Sequence, residues 1–174
     1  TLRVRPYEDE EREYLEIAVI EVTLSSRKRA ARLAEIIHRT IPYPVFLVLS
    51  DGTATAVSVA HKRFSLAERG TVVAQDFAMT AWMEGTTELI DADFAESLVI
   101  RSLNQLDFYR LYQDLVQRVL ARNCAELTGV FELKSVSEEE RRKALAQYRE
   151  LEREIISLKA TIRKETEFAR KVEL

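Results

Sequence analysis

Between Tyr14 and Leu24 apolar residues fall on both parities of an extended chain: Leu15, Ile17 and Val19 on one face, and Ala18, Ile20, Val22 and Leu24 on the other. Apolar residues on both faces predict a central strand covered on both sides. Ser25–Ser26 then supplies a natural N-cap for RKRAARLAEIIHRT, in which Ala30, Leu33, Ala34 and Ile37 recur at helical spacing. That helix must stop by Ile41, because Pro42 and Pro44 push their predecessors out of the α region. VFLVLS (45–50), Asp51–Gly52 and TATAVSVAHK (53–62) predict a hairpin, with Asp-Gly suited to a type I′ turn.

TVVAQDFAMTAW (71–82) is rich in β-branched and aromatic residues and predicts a further strand. DADFAESL (91–98) fits either a short strand or a helical turn, and 122–136 around Gly129 is the natural boundary region. DFYRLYQDLVQRVLA (107–121) is amphipathic, with Phe108, Leu111, Tyr112, Leu115 and Val119 in one apolar stripe.

From Ser137 the rhythm changes. Ser137 and Glu140 form a capping box, three glutamates open the first turn, and neither Gly nor Pro interrupts the chain before Leu174. Leu151, Ile155, Leu158 and Ile162 are spaced 4, 3 and 4, the rhythm of alternate core positions in a heptad. Tyr148 precedes that seam at the expected step, Glu165 breaks it, Ala169 is weak and Val172 restores it. A helix with so narrow a seam needs a partner surface: another chain, or its own sheet folded back upon. The expected fold is α+β, a mixed sheet of about four to five strands with flanking helices and a long C-terminal helix. The boundaries follow: a mixed domain over 1–136 and a helical arm over 137–174.

Composition narrows the function classes. In 174 residues, 47% are hydrophobic and 32% charged, enough for a core and too apolar for disorder. The single cysteine, Cys124, excludes an internal disulfide framework and a cysteine zinc site within one chain, and reads as a small buried residue. The most apolar run carries Glu16 and Glu21 and is too short to span a bilayer, so a soluble protein is expected, and the free thiol fits a reducing cytoplasm. Thr1 opens a charged stretch without a secretory pattern, which suggests that a piece preceding it is missing. The formal net charge is −3, with the arm at +1 and the rest at −4, and the sequence pI is about 5.6. That balance exerts no long-range pull on phosphate.

Candidate chemistry is sparse. His38 reads as a surface histidine on the first helix. His61, Lys62 and Arg63 close a strand, and the run could grip an anion such as phosphate, or bound the strand as solvated side chains. Arg170 and Lys171 add a second basic pair for nucleic acid. A metal-dependent nuclease would need a carboxylate on one strand and Glu-x-Lys on the next; Glu16, Glu21, Asp51 and Asp76 are the available carboxylates, but Glu21 is followed by Val22 and Thr23. No phosphate-loop, dinucleotide, zinc-protease or nucleophile-elbow motif is present. Trp82 and Tyr43 read as packing residues, with base stacking as the alternative. No catalytic residue, cofactor or metal is expected. The interaction helix is assigned to Tyr148, Leu151, Ile155, Leu158, Ile162 and Val172.

IPYP (41–44) before a strand, HKR (61–63) closing the next, Phe77-x-x-Thr80-x-Trp82 and LEREIISLKATIRKETEFARKVEL (151–174) resemble an uncharacterised bacterial family, the domain-of-unknown-function family numbered forty-three ninety-one. The resemblance is collinear from about Tyr14 to Leu174, with RKVEL (170–174) its most specific element. The chain departs from the commoner pattern at His61, where relatives often carry an aromatic, and at Ala81, where an acidic residue is usual. The resemblance brings no activity or catalytic residues. It implies membership of restriction-like, anti-phage loci with helicase and methyltransferase genes. Three functions follow as expectations: a non-catalytic interaction subunit that docks a helicase or methyltransferase or self-associates through its C-terminal helix, a nucleic-acid-binding accessory, or a cryptic metal-dependent nuclease.

Overall fold

The computed structural model describes residues 4–68, 70–85, 89–134 and 136–172, with side chains to residue 164. The chain forms two compact units, Thr1–Ser135 and Val136–Leu174. The first is α+β. A two-stranded ribbon, β1 (Tyr7–Glu8) and β2 (Glu13–Tyr14), precedes a four-stranded mixed sheet of β3 (Ala18–Thr23), β4 (Val45–Ser50), β5 (Thr55–Phe64) and β6 (Val72–Met79), in that spatial order. β3 and β4 are parallel, joined by α1 (Ala30–Thr40), and the remaining pairs are antiparallel. Two further helices, α2 (Leu89–Ser97) and α3 (Phe108–Thr128), complete this unit.

The strand predicted to be central lies instead at the sheet's edge. Ala18, Ile20 and Val22 pack beside Val45, Leu47, Leu49, Ala30 and Ala34 under α1. The opposite face, Val19, Glu21 and Thr23, is exposed, with Val19 at 74%. Apolar parity on both faces reports composition, not strand order, and here it misplaces the strand. The interior positions belong to β4 and β5, and β5 is buried from Ala56 through Lys62. Its Ser58 and Lys62 meet α1, while His61 on the other face packs against Tyr112 of α3.

Several local readings need adjustment. α1 begins at Ala30 rather than directly after Ser26, whose hydroxyl accepts from the Lys28 amide (3.2 Å). The helix ends at Thr40 with Ile41 extended, as the prolines require. The hairpin forms, but as a four-residue loop between Ser50 and Thr55: Asp51 accepts from the amides of Thr53 (3.0 Å) and Ala54 (2.9 Å). Gly52 alone in that loop takes the left-handed conformation (φ 86°), which rules out a type I′ turn. Residues 91–97 resolve as helix, and α3 runs past 121 to a left-handed Gly129 cap, across the first half of the expected boundary.

In the second unit α4 (Glu138–Val172) is one continuous helix. Its capping box forms as expected: the Ser137 amide donates to Glu140 (2.9 Å) and the Glu140 amide to the Ser137 hydroxyl (3.3 Å). At 1.5 Å per residue the helix is about 50 Å long.

Candidate functional site

α4 carries the residues assigned to interaction. Tyr148, Leu151, Ile155, Leu158 and Ile162 are 40–62% exposed, in the 3-and-4 rhythm that places them along one line of the helix. Ile156 adds a sixth exposed apolar side chain beside that line. Glu138 reaches Arg142 (2.8 Å), an i,i+4 pair. The side chains of Val172, Arg170 and Lys171 lie outside the described residues.

The HKR run points inward. Lys62 is buried, and its ammonium donates to the carbonyl oxygens of His38 and of Ile41 (2.6 Å). Both carbonyls belong to the end of α1, where a helix leaves acceptors without intrahelical donors. Burial lowers the Lys62 pKa to about 8. His61 is buried among Tyr14, Tyr109 and Tyr112, with Nδ1 3.1 Å from the Tyr14 hydroxyl. Arg63 is half-buried, its Nε on Gln75 (2.7 Å) and a terminal nitrogen on the Phe64 carbonyl (3.1 Å). Neither a shared anion grip nor three solvated side chains describes this arrangement. The nucleic-acid alternative is left with Arg63 and with Arg170 and Lys171.

Two tyrosines account for the buried end of β5. The β4–β5 ladder ends at Leu47 opposite Ser58. Beyond it the Tyr112 hydroxyl sits between the strands, accepting from the Ala60 amide (2.9 Å) and donating to the Val45 carbonyl (2.8 Å). The Tyr14 hydroxyl accepts from the Lys62 amide (2.9 Å). These hydroxyls take up backbone groups of β5 and β4 that the ladder leaves unpaired beyond its end, as buried donors and acceptors require. Burial pushes the Tyr112 phenol far above its ordinary range.

His38, expected at the surface, is fully buried. The Ser58 hydroxyl is committed to the Ala78 carbonyl (3.2 Å), so His38 Nε2–H donates to Ser58 (3.1 Å), and Nδ1 has no partner. Burial, then the nearby Lys62 charge, lower its pKa to about 4. At neutral pH this imidazole is uncharged and is sealed from solvent.

A buried ion pair escaped the sequence reading. Arg122 of α3 places Nε (3.1 Å) and Nη2 (2.8 Å) on one carboxylate oxygen of Asp91 in α2, and Nη1 on Glu126 (2.7 Å). The pair borders a cleft of about 270 Å³ that also meets Trp82 and Glu84. All three nitrogens of the guanidinium are engaged by carboxylates, so the pair ties α2 to α3 rather than offering a free cation. Trp82 is half-buried against the core below α1, with the Arg27 guanidinium 5.0 Å from its ring centroid. Arg27 also holds Asp51 (2.6 Å).

The nuclease carboxylates do not converge. Glu16, Glu21 and Asp76 are exposed, and Asp51 is occupied by its own loop and Arg27. Among the described residues no three His, Cys, Asp or Glu side chains are placed to hold a metal ion, and no helix is long and apolar enough to cross a membrane. Cys124 is half-buried.

A protein-family model described as a domain of unknown function matches residues 1–174. No curated protein and no solved structure matches the chain.

Proposed function

The chain belongs to the family described as Domain of unknown function (DUF4391), and from that membership we propose that it is a non-catalytic interaction subunit whose C-terminal helix docks another protein. The observation that carries this reading is the line Tyr148–Leu151–Ile155–Leu158–Ile162, exposed along a helix rich in charged side chains. An isolated helix gains little from such a line, and most helical stability in proteins comes from packing an apolar face. The distribution of polar groups in the first unit supports it. Its buried histidines, lysine and ion pair complete helix ends, strand edges and helix contacts, which is structural work. The resemblance adds the class of partner: a helicase or methyltransferase of a restriction-like, anti-phage locus, acting in the cytoplasm.

Co-expression with a helicase and a methyltransferase of such a locus, followed by purification on a tag carried by this chain, tests the reading. One of them co-elutes, and Leu158→Lys with Ile162→Lys releases it. A chain that stays monomeric and retains neither protein contradicts the proposal.

A further inference from the structure

Resting on the interaction-helix reading, we propose that the surface which covers the α4 seam is the same helix of a second copy, in a parallel, in-register, two-stranded coiled coil. The spacing assigns Tyr148, Ile155 and Ile162 to the first core position of the heptad and Leu151 and Leu158 to the second. β-branched isoleucine at the first position with leucine at the second is the combination that selects two parallel strands, because each site orients its side chain differently toward the partner. An antiparallel pair would interleave the two kinds of layer and lose that match.

The flanking charges fit a second copy. In the parallel register Glu154 of one helix lies beside Lys159 of the other, and the symmetric contact repeats it. The neighbouring flanking contact joins Gln147 to Glu152, so among the described side chains no like charges oppose each other across the seam. An antiparallel register also finds an acid–base contact, Glu152 with Lys159. Charge therefore supports self-pairing, and the isoleucine–leucine division sets its direction. Five core layers make a short seam, so the dimer is concentration-dependent rather than permanent.

Light scattering on the full chain, combined with cysteine cross-linking in a Cys124→Ser background, tests the proposal. The measured mass doubles between about 1 µM and several hundred µM, the range in which a modest interface titrates. Oxidised Tyr148→Cys protein links to itself, because in register the two Cα atoms approach within about 6 Å, a span that a disulfide bridges. In an antiparallel pair those residues stand about 25 Å apart at 1.5 Å per residue, and a mixture of Leu151→Cys and Ile162→Cys chains links instead. A dimer with that second pattern overturns the parallel arrangement. A chain that remains monomeric throughout, with circular dichroism confirming its fold, overturns self-pairing. If such a monomer still retains a locus protein on purification, the interaction reading stands without this inference; if it retains nothing, both fail.

Discussion

Lys62 reaches from the centre of the sheet to the end of α1, where its ammonium donates to the carbonyl of His38 and, beside it, to that of Ile41. A lysine that reads as part of a surface basic run is instead a C-cap for a helix 21 and 24 residues away in sequence. Lys62→Met keeps much of the volume and removes the donors, leaving two carbonyls unsatisfied in the interior. We expect a loss of about 2–4 kcal/mol in urea unfolding, from the cost of buried acceptors without partners. A loss below about 1 kcal/mol would show that water reaches those carbonyls.

His38 makes the fold sensitive to mild acid. In the unfolded chain its imidazole takes up a proton near pH 6.5, whereas burial and Lys62 hold the folded value at about 4. Between those values the unfolded state binds the extra proton, so stability is lost as pH falls from about 6.5 to 4. From pH 7 to 5 this amounts to about 2 kcal/mol at 1.36 kcal/mol per pKa unit. Unfolding midpoints at the two pH values, compared with His38→Gln, isolate the effect; equal slopes in the two proteins would remove it.

The Asp91–Arg122 pair separates the cost of breaking a buried ion pair from its net worth. Asp91→Ala leaves a buried guanidinium with only Glu126 as its acidic partner, and we expect a loss of about 3–5 kcal/mol. Asp91→Leu combined with Arg122→Met removes both charges and should recover to within about 1–2 kcal/mol of the parent. Denaturation of the single and double variants checks this, and a double variant as unstable as the single one would contradict it.

Trp82 packs half-buried beside the core with Arg27 over its ring. Trp82→Ala should cost about 2–3 kcal/mol in chemical denaturation, below the 3–5 kcal/mol typical of a fully buried aromatic. A loss under about 1 kcal/mol would free the ring for stacking and return weight to a nucleic-acid reading.

Local rules made part of this molecule legible. Pro42 and Pro44 set the end of α1, Ser137 with Glu140 set the start of α4, and the spacing from Tyr148 to Ile162 marked the seam, because each depends on residues within a few positions of one another. Local rules also erred at the 51–54 turn and at the start of α1, but the misplaced strand and the missed buried groups are long-range. β3 could not be placed at the edge from its own residues, since strand order depends on which neighbours pair. His38 is buried by Ser58, 20 residues away, and Arg122 by Asp91, 31 away, and neither pairing leaves a local mark. Tyr14 and Tyr112 offered no signal of their roles either, because a hydroxyl that replaces a strand partner is visible only once the ladder's end is known. The α4 seam is the more readable feature because a heptad pattern is written into its own local spacing.

The central claim is that the apolar line of α4 is covered in solution. Amide hydrogen exchange across residues 148–162 of the full chain, at about 100 µM and beside Leu158→Lys with Ile162→Lys, measures that cover directly, since exchange follows local opening. Slow exchange that collapses in the double variant, with the amides of β4 and β5 unchanged, is the predicted result. Fast exchange over that segment in both proteins, or equal protection in both, would contradict the account.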